Sequence, residues 1–130
     1  MAIRVRMRDD SRMSTTVVIV DDHAAFRSAA RRLLQSEGFE VVGEAADGTS
    51  GIALARELEP DLVLLDVVLP DLSGFDVATA LATGHSKIVL VSSRGKADFG
   101  PRLRRSPALG FVSKDQLSGE SLRTLLGRAA

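Results

Sequence analysis

Three stretches of this chain are apolar without interruption, and each ends on a polar residue. Val17–Val20 runs into Asp21 and Asp22, Leu62–Leu65 into Asp66, and Ile88–Val91 into Ser92 and Ser93. A fourth, weaker run, Leu109–Val112, passes through Ser113 to Lys114. Short continuous runs rich in Val, Ile and Leu predict strands buried on both faces, as in a parallel sheet. Between them the pattern changes period. Phe26, Ala29, Ala30, Leu33 and Leu34 form a helical stripe within residues 23–36, closed by Gly38. Phe39–Ala46 alternates and reads as a strand; Thr49–Leu58 reads as a helix stopped by Pro60. Ser73 can cap a helix through about Ala82, with Asp76 at N3, and Ser118 can cap a last helix lined by Leu122, Leu125, Leu126 and Ala129.

One helix is damaged. Gly100-Pro101 and Pro107 bracket Arg102–Ser106, and proline is tolerated at a helix start but not inside. The segment between the fourth and fifth strands is therefore expected to be mostly loop, with a short helix beginning near Pro101. The whole pattern predicts five βα units: an α/β, doubly wound, five-stranded parallel sheet with helices on both faces. Residues 1–14 are polar, Arg-rich and aperiodic. They are expected to be a disordered or extension tail, with the domain proper at 15–130.

Composition narrows the picture. The chain has 130 residues, enough for one core, and 45% hydrophobic and 26% charged residues suit a water-soluble domain. No apolar run approaches a membrane span, and no signal-peptide core follows the N-terminal arginines, so a cytoplasmic location is expected. There is no cysteine, which excludes disulfides and thiolate metal sites. The net charge is zero, so nothing in the total favours nucleic acid.

In open α/β sheets ligands gather beyond the carboxyl ends of the strands. Asp21, Asp22, Asp66, Ser92 and Lys114 would meet there. Such a set suits a hard cation and a phosphoryl group. Asp22 and Asp66 can each give Mg²⁺ an oxygen, the backbone carbonyl of Val68 a third, and Asp21 can hold a coordinated water. Asp66 would also be the nucleophile, Lys114 would neutralise phosphoryl charge, and the Ser92 hydroxyl would donate to a phosphoryl oxygen. His23 is tempting as a ligand, but a lone histidine beside a helix start reads more simply as structural. Arg102, Arg104 and Arg105 read as a solvated face.

These residues, in this order and spacing, resemble the receiver domain of bacterial two-component response regulators, the CheY-like, flavodoxin-like fold. Asp66–Gly74, with Pro70 and Gly74 four and eight residues after the aspartate, looks like the phosphoacceptor loop of that family. Val20–His23 and Phe111–Asp115 look most like the NarL/FixJ-type subgroup. The resemblance covers roughly residues 16–128. It implies that Asp66 is the phosphoacceptor and that Asp21, Asp22 and Asp66 form an acidic Mg²⁺ site. It implies too that Ser92 is the switch hydroxyl, Lys114 the phosphate-contacting lysine and Phe111 the aromatic switch position. It implies a histidine kinase as phosphodonor, an unknown downstream protein as output, and no enzyme activity beyond its own phosphorylation and dephosphorylation. Homodimerisation stays open. A stand-alone receiver working without direct DNA contact is expected. The alternative is the receiver portion of a DNA-binding regulator. A haloacid-dehalogenase-like phosphatase would need a second aspartate at position 68, where Val68 stands. A receiver that had lost phosphorylation would not be expected to keep the whole acidic set.

Overall fold

A computed structural model describes residues 14–129 of the chain. The expected N-terminal tail, all but Ser14, lies outside the described residues, as do the side chains of Arg128 and Ala129. The elements follow the alternation read from the sequence: β1 (Thr16–Val20), α1 (Ala24–Ser36), β2 (Glu40–Ala45), α2 (Gly48–Leu58), β3 (Leu62–Asp66), α3 (Gly74–Ala80), β4 (Lys87–Ser92), α4 (Pro101–Arg105), β5 (Gly110–Ser113) and α5 (Gly119–Ala129). The five strands form one sheet in the order β2-β1-β3-β4-β5, and every pairing is parallel. The doubly wound expectation therefore holds.

The continuous apolar runs are explained by what covers them. Alternate residues of each central strand face opposite layers. Val17, Ile19, Leu62, Leu64, Val89 and Val91 pack with Ala30 and Leu34 of α1 and Leu122 and Leu125 of α5. Val18, Val20, Val63, Leu65, Ile88 and Leu90 pack with Ala55 of α2, Phe75, Val77 and Ala78 of α3, and Phe99. Both faces are dry, so neither parity of position tolerates a polar side chain, and β3 is buried from end to end. Edge strand β2 instead alternates, with Glu40 and Val42 exposed and Val41 buried. A register shift opposite Val17/Val18 pairs Val18 with Gly43 and leaves Val42 over.

Several boundaries differ from the expected ones for local reasons. α2 starts at Gly48 because Asp47, not a later residue, is the N-cap, accepting from the Ser50 N–H at 2.7 Å. Its end at Leu58 is the expected one, and the C-cap Glu59 takes a left-handed conformation (φ 46°). Pro60 disfavours a helical residue before it. α3 stops at Ala80, two residues early, although Ser73 caps it through the Asp76 N–H as expected. In the stripe of α1, Ala30 and Leu34 are buried while Ala29 is exposed. The damaged segment matches its prediction: one 3₁₀ turn at Lys96–Asp98, then a five-residue helix opened by Pro101. Among the described residues no helix is long and apolar enough to cross a membrane.

Candidate functional site

Asp66 ends β3, Ser92 ends β4, Asp21 follows β1 and Lys114 follows β5. Parallel strands put all four at one edge of the sheet, and strand alternation then divides them. Asp66 is in step with Leu62 and Leu64, Asp21 with Ile19, and Lys114 with Val112, so these three belong to the α1/α5 layer. Ser92 and Phe111 are in step with Leu90 and belong to the α2–α4 layer.

The acidic group is deeply seated. Asp21 is fully buried, and Asp66 keeps 3% of its surface. The Lys114 ammonium lies 2.7 Å from Asp21 Oδ2 and 3.4 Å from Asp66 Oδ2, and it also sits 4.5 Å from the centre of the Phe26 ring. The contact to Asp21 Oδ2 is an ion pair by distance but lies off the hydrogen-bonding angle, so that buried oxygen has no hydrogen-bond partner. Burial, more than the neighbouring Asp21 charge, pushes the Asp66 carboxyl above the ordinary carboxylate range; Lys114 and the Val68 N–H pull it partly back. That N–H reaches Asp66 Oδ1 at 3.3 Å.

Asp22 is exposed at the rim, and His23 turns its ring toward the group. Asp21, Asp22, His23 and Asp66 each present a donor atom, and these atoms lie within 4.8 Å of one another. A divalent cation fits this set. The donors are mostly carboxylate oxygens, which hard cations prefer. A cation would also relieve the repulsion between carboxylates that the single Lys114 charge leaves uncompensated.

Main-chain placement comes from residues the sequence reading did not single out. The Asp21 N–H donates to the Ala45 carbonyl at 3.0 Å. The Asp21 carbonyl accepts from Arg27 Nη1 at 2.6 Å, and Arg27 is itself held by Glu44 at 3.1 Å. Arg31 reaches the other Glu44 oxygen at 2.6 Å, and the two arginines keep the Glu44 carboxyl below its usual range. Gly74 closes the loop after Asp66: its N–H donates to the Val67 carbonyl at 2.7 Å. A Cβ there would lie 2.8 Å from Val67 Cα and clash with the Asp66 carbonyl. The Pro70–Gly74 spacing was the signal for that residue. Nothing in the local sequence marked Arg27 or Glu44, because their pairing joins α1 to β2.

On the other layer, Ser92 is buried while Ser93 is exposed, and the Arg94 N–H donates to Ser92 Oγ at 3.0 Å. Phe111 is half-buried and begins an aromatic row. Its ring centroid is 5.9 Å from that of Phe99, which is 5.9 Å from that of Phe75, and the Arg102 guanidinium lies 4.4 Å from the centre of the Phe75 ring. A groove of about 440 Å³ opens beside the loop that follows Asp66, lined in part by Val68, Arg94, Phe99 and Arg102. Val68 is 55% exposed there.

Comparison with known proteins gives a consistent result. The family model described as "Response regulator receiver domain" matches residues 17–126. The transcription regulator BvgA of Bordetella pertussis is 38% identical over 106 residues, covering 80% of this chain and 51% of the relative. Response regulator GacA of Pseudomonas aeruginosa is 38% identical over 101 residues, 75% of this chain and 47% of the relative. The chain thus spans about half the length of the curated relatives it matches. Among solved structures, the signal receiver domain of a NarL response regulator from Mycobacterium tuberculosis superposes with a TM-score of 0.78 at 32% identity, covering 89% of this chain and 96% of that one.

Proposed function

This chain belongs to the response regulator receiver domain family, and we propose that Asp66 is the residue through which it is switched, accepting a phosphoryl group from a histidine kinase. The observation that carries the reading is the Asp66 carboxylate itself: buried at a strand end, 3.4 Å from the Lys114 ammonium and within the carboxylate cluster. In the transfer an Asp66 oxygen bonds to phosphorus as the bond from phosphorus to the donor imidazole breaks. The imidazole leaves with that electron pair, and no proton need move on the receiver. Catalysis in such a step is mostly positioning and charge neutralisation. Lys114 supplies one positive charge beside the acceptor oxygen. The Val68 N–H orients the other Asp66 oxygen. Asp21, Asp22 and Asp66, with the Val68 backbone carbonyl, would hold Mg²⁺, which supplies further neutralisation of phosphoryl oxygens when bound. The Val67 carbonyl is already engaged by Gly74, so the loop carbonyl for the cation falls to Val68.

Ser92 would then donate its hydroxyl to a phosphoryl oxygen, a role its Oγ leaves open because it now only accepts, from the Arg94 N–H. Phe111 shares its layer and would repack against Phe99. Phe111 has no hydroxyl, so its part in switching is packing alone.

The test is intact mass after incubation with acetyl phosphate. The expected result is one phosphoryl adduct with Mg²⁺, none with chelator and none in Asp66→Asn. An adduct on Asp66→Asn equal to that on the wild type refutes the assignment.

Output admits two readings. The stand-alone reading expects contact with a downstream protein. The second is that the domain controls a DNA-binding segment. It is favoured by the half-length match to transcription regulators such as BvgA. Gel-shift of the full native gene product, phosphorylated and not, separates them.

A further inference from the structure

We propose that His23 gives its Nδ1 as a nitrogen ligand to the cation in this pocket, so that the site favours borderline divalent ions such as Mn²⁺ and Ni²⁺ over Mg²⁺ more than an all-oxygen pocket would. The inference rests on the reading above that the carboxylate cluster holds a divalent cation.

His23 Nδ1 lies 3.0 Å from Asp21 Oδ1, 3.2 Å from Asp22 Oδ1 and 4.0 Å from Asp66 Oδ2. Around a six-coordinate ion with bonds of about 2.1 Å, neighbouring ligand atoms stand about 3.0 Å apart and opposite ones about 4.2 Å. The imidazole nitrogen is thus spaced as a neighbour of the two N-terminal carboxylates and nearly opposite Asp66. A cluster of carboxylates is not in itself a metal site. What points to a cation here is charge: Asp21 and Asp66 are buried with Asp22 beside them, and the Lys114 ammonium, 2.7 Å from Asp21 Oδ2 and 3.4 Å from Asp66 Oδ2, offsets a single charge.

Burial does not explain the ring position, because the His23 side chain is 65% exposed. Helix capping does not explain it either. His23 is the N-cap of α1 but makes no side-chain cap bond. What fixes it is the backbone: the His23 N–H donates to Asp21 Oδ1 at 2.8 Å, which holds the residue against the acids and turns Nδ1 inward. With a proton on Nδ1 the contact to Asp21 is a hydrogen bond. With the proton on Nε2, Nδ1 presents a lone pair to the same point.

The consequence is selectivity. Mg²⁺ demands oxygen ligands and gives up its waters reluctantly, so an imidazole adds little to its binding. Ions later in the first transition row gain more, in the order Mn²⁺, Co²⁺, Ni²⁺.

Calorimetric titration of the full chain with MgCl₂, MnCl₂ and NiCl₂ tests this in the wild type, His23→Ala, His85→Ala and Asp21→Asn. His85 is the second of the two histidines and pairs with Asp61 elsewhere. His23→Ala should weaken Ni²⁺ roughly tenfold or more while changing Mg²⁺ less than about twofold. His85→Ala should change neither. Bound Mn²⁺ should show spin-echo modulation from a directly coupled ¹⁴N in the wild type and His85→Ala, and none in His23→Ala. An unchanged Ni²⁺/Mg²⁺ affinity ratio in His23→Ala, or no ¹⁴N coupling in the wild type, overturns the nitrogen ligand while leaving the carboxylate site standing. Binding as tight in Asp21→Asn as in the wild type, or no binding to the wild type, overturns the carboxylate site and with it this proposal.

Discussion

Gly74→Ala is the sharpest structural test of how the acceptor loop is held. A methyl group at this position meets main chain, not a side chain that can swing away: the Asp66 carbonyl, Val67 Cα at 2.8 Å and the Asp66 carbonyl carbon at 3.0 Å. Relief requires α3 and the loop to separate from the end of β3. That costs the Gly74 N–H bond to the Val67 carbonyl, about 1 kcal/mol. Overpacking against a buried backbone costs a further 1–3 kcal/mol or so. Alanine recovers roughly 0.5–1 kcal/mol because it restricts the unfolded chain. The net expectation is about 1–3.5 kcal/mol of destabilisation. At about 4 °C per kcal/mol for a domain of this size, Tm should fall by about 4–14 °C. Gly127→Ala is the control. Nothing lies within 4 Å of its Cβ and it sits inside α5, so Tm should hold or rise. The assay is thermal unfolding by circular dichroism for both variants, beside acetyl phosphate labelling of Gly74→Ala. Labelling should slow, because the forced shift moves Asp66 relative to Lys114. A Gly74→Ala protein with the Tm and labelling rate of the wild type would refute the close-approach argument.

Three further expectations follow from the site. Val68 cannot orient an attacking water, and Arg94 lines the same groove beside the loop that follows Asp66, so self-dephosphorylation should be slow. Val68→Asn and Arg94→Glu should shorten the lifetime of the phosphorylated form in a decay assay, and an unchanged Val68→Asn rate defeats that account. The raised carboxyl of Asp66 makes its ionisation a cost to the metal-free fold, absent below the unfolded value near 3.8 and fully present once pH passes the higher folded value. Asp66→Asn should therefore melt above the wild type in chelator at pH 7, with the gap closing on acidification toward pH 3.8; an Asn variant that melts lower at pH 7 contradicts this. Asp71 has the opposite sign. It accepts from the Gly48 and Thr49 N–H groups at 2.7 and 2.9 Å, and these hold its pKa down at about 2. Its stabilisation is present above the unfolded carboxylate value and is lost as pH falls through about 2. Asp71→Ala should lower Tm at pH 7, with wild type and variant converging toward pH 2.

The sequence by itself determined the layer architecture and the members of the acidic site. The reason is that a parallel sheet covered on both faces demands uninterrupted apolar strands. Val17–Val20, Leu62–Leu65 and Ile88–Val91 are therefore visible as such, and their carboxyl ends mark where Asp21, Asp66 and Ser92 must lie. Pro101 and Pro107 likewise determined the short α4, since proline acts through its own ring and missing N–H. Tertiary structure alone decided what depends on distance between elements. Arg27 from α1 meets Glu44 of β2, 17 residues away, and so anchors the Asp21 carbonyl. Phe75, Phe99 and Phe111 come from three segments and align only when α3, the loop before α4, and β5 share one layer. The position of His23 belongs with these. Its residue type and place at a helix start suggested a structural histidine. Nδ1 meets the neighbouring Asp21 and Asp22, but its 4.0 Å approach to Asp66 depends on where β3 sits, and only the packed sheet fixes that.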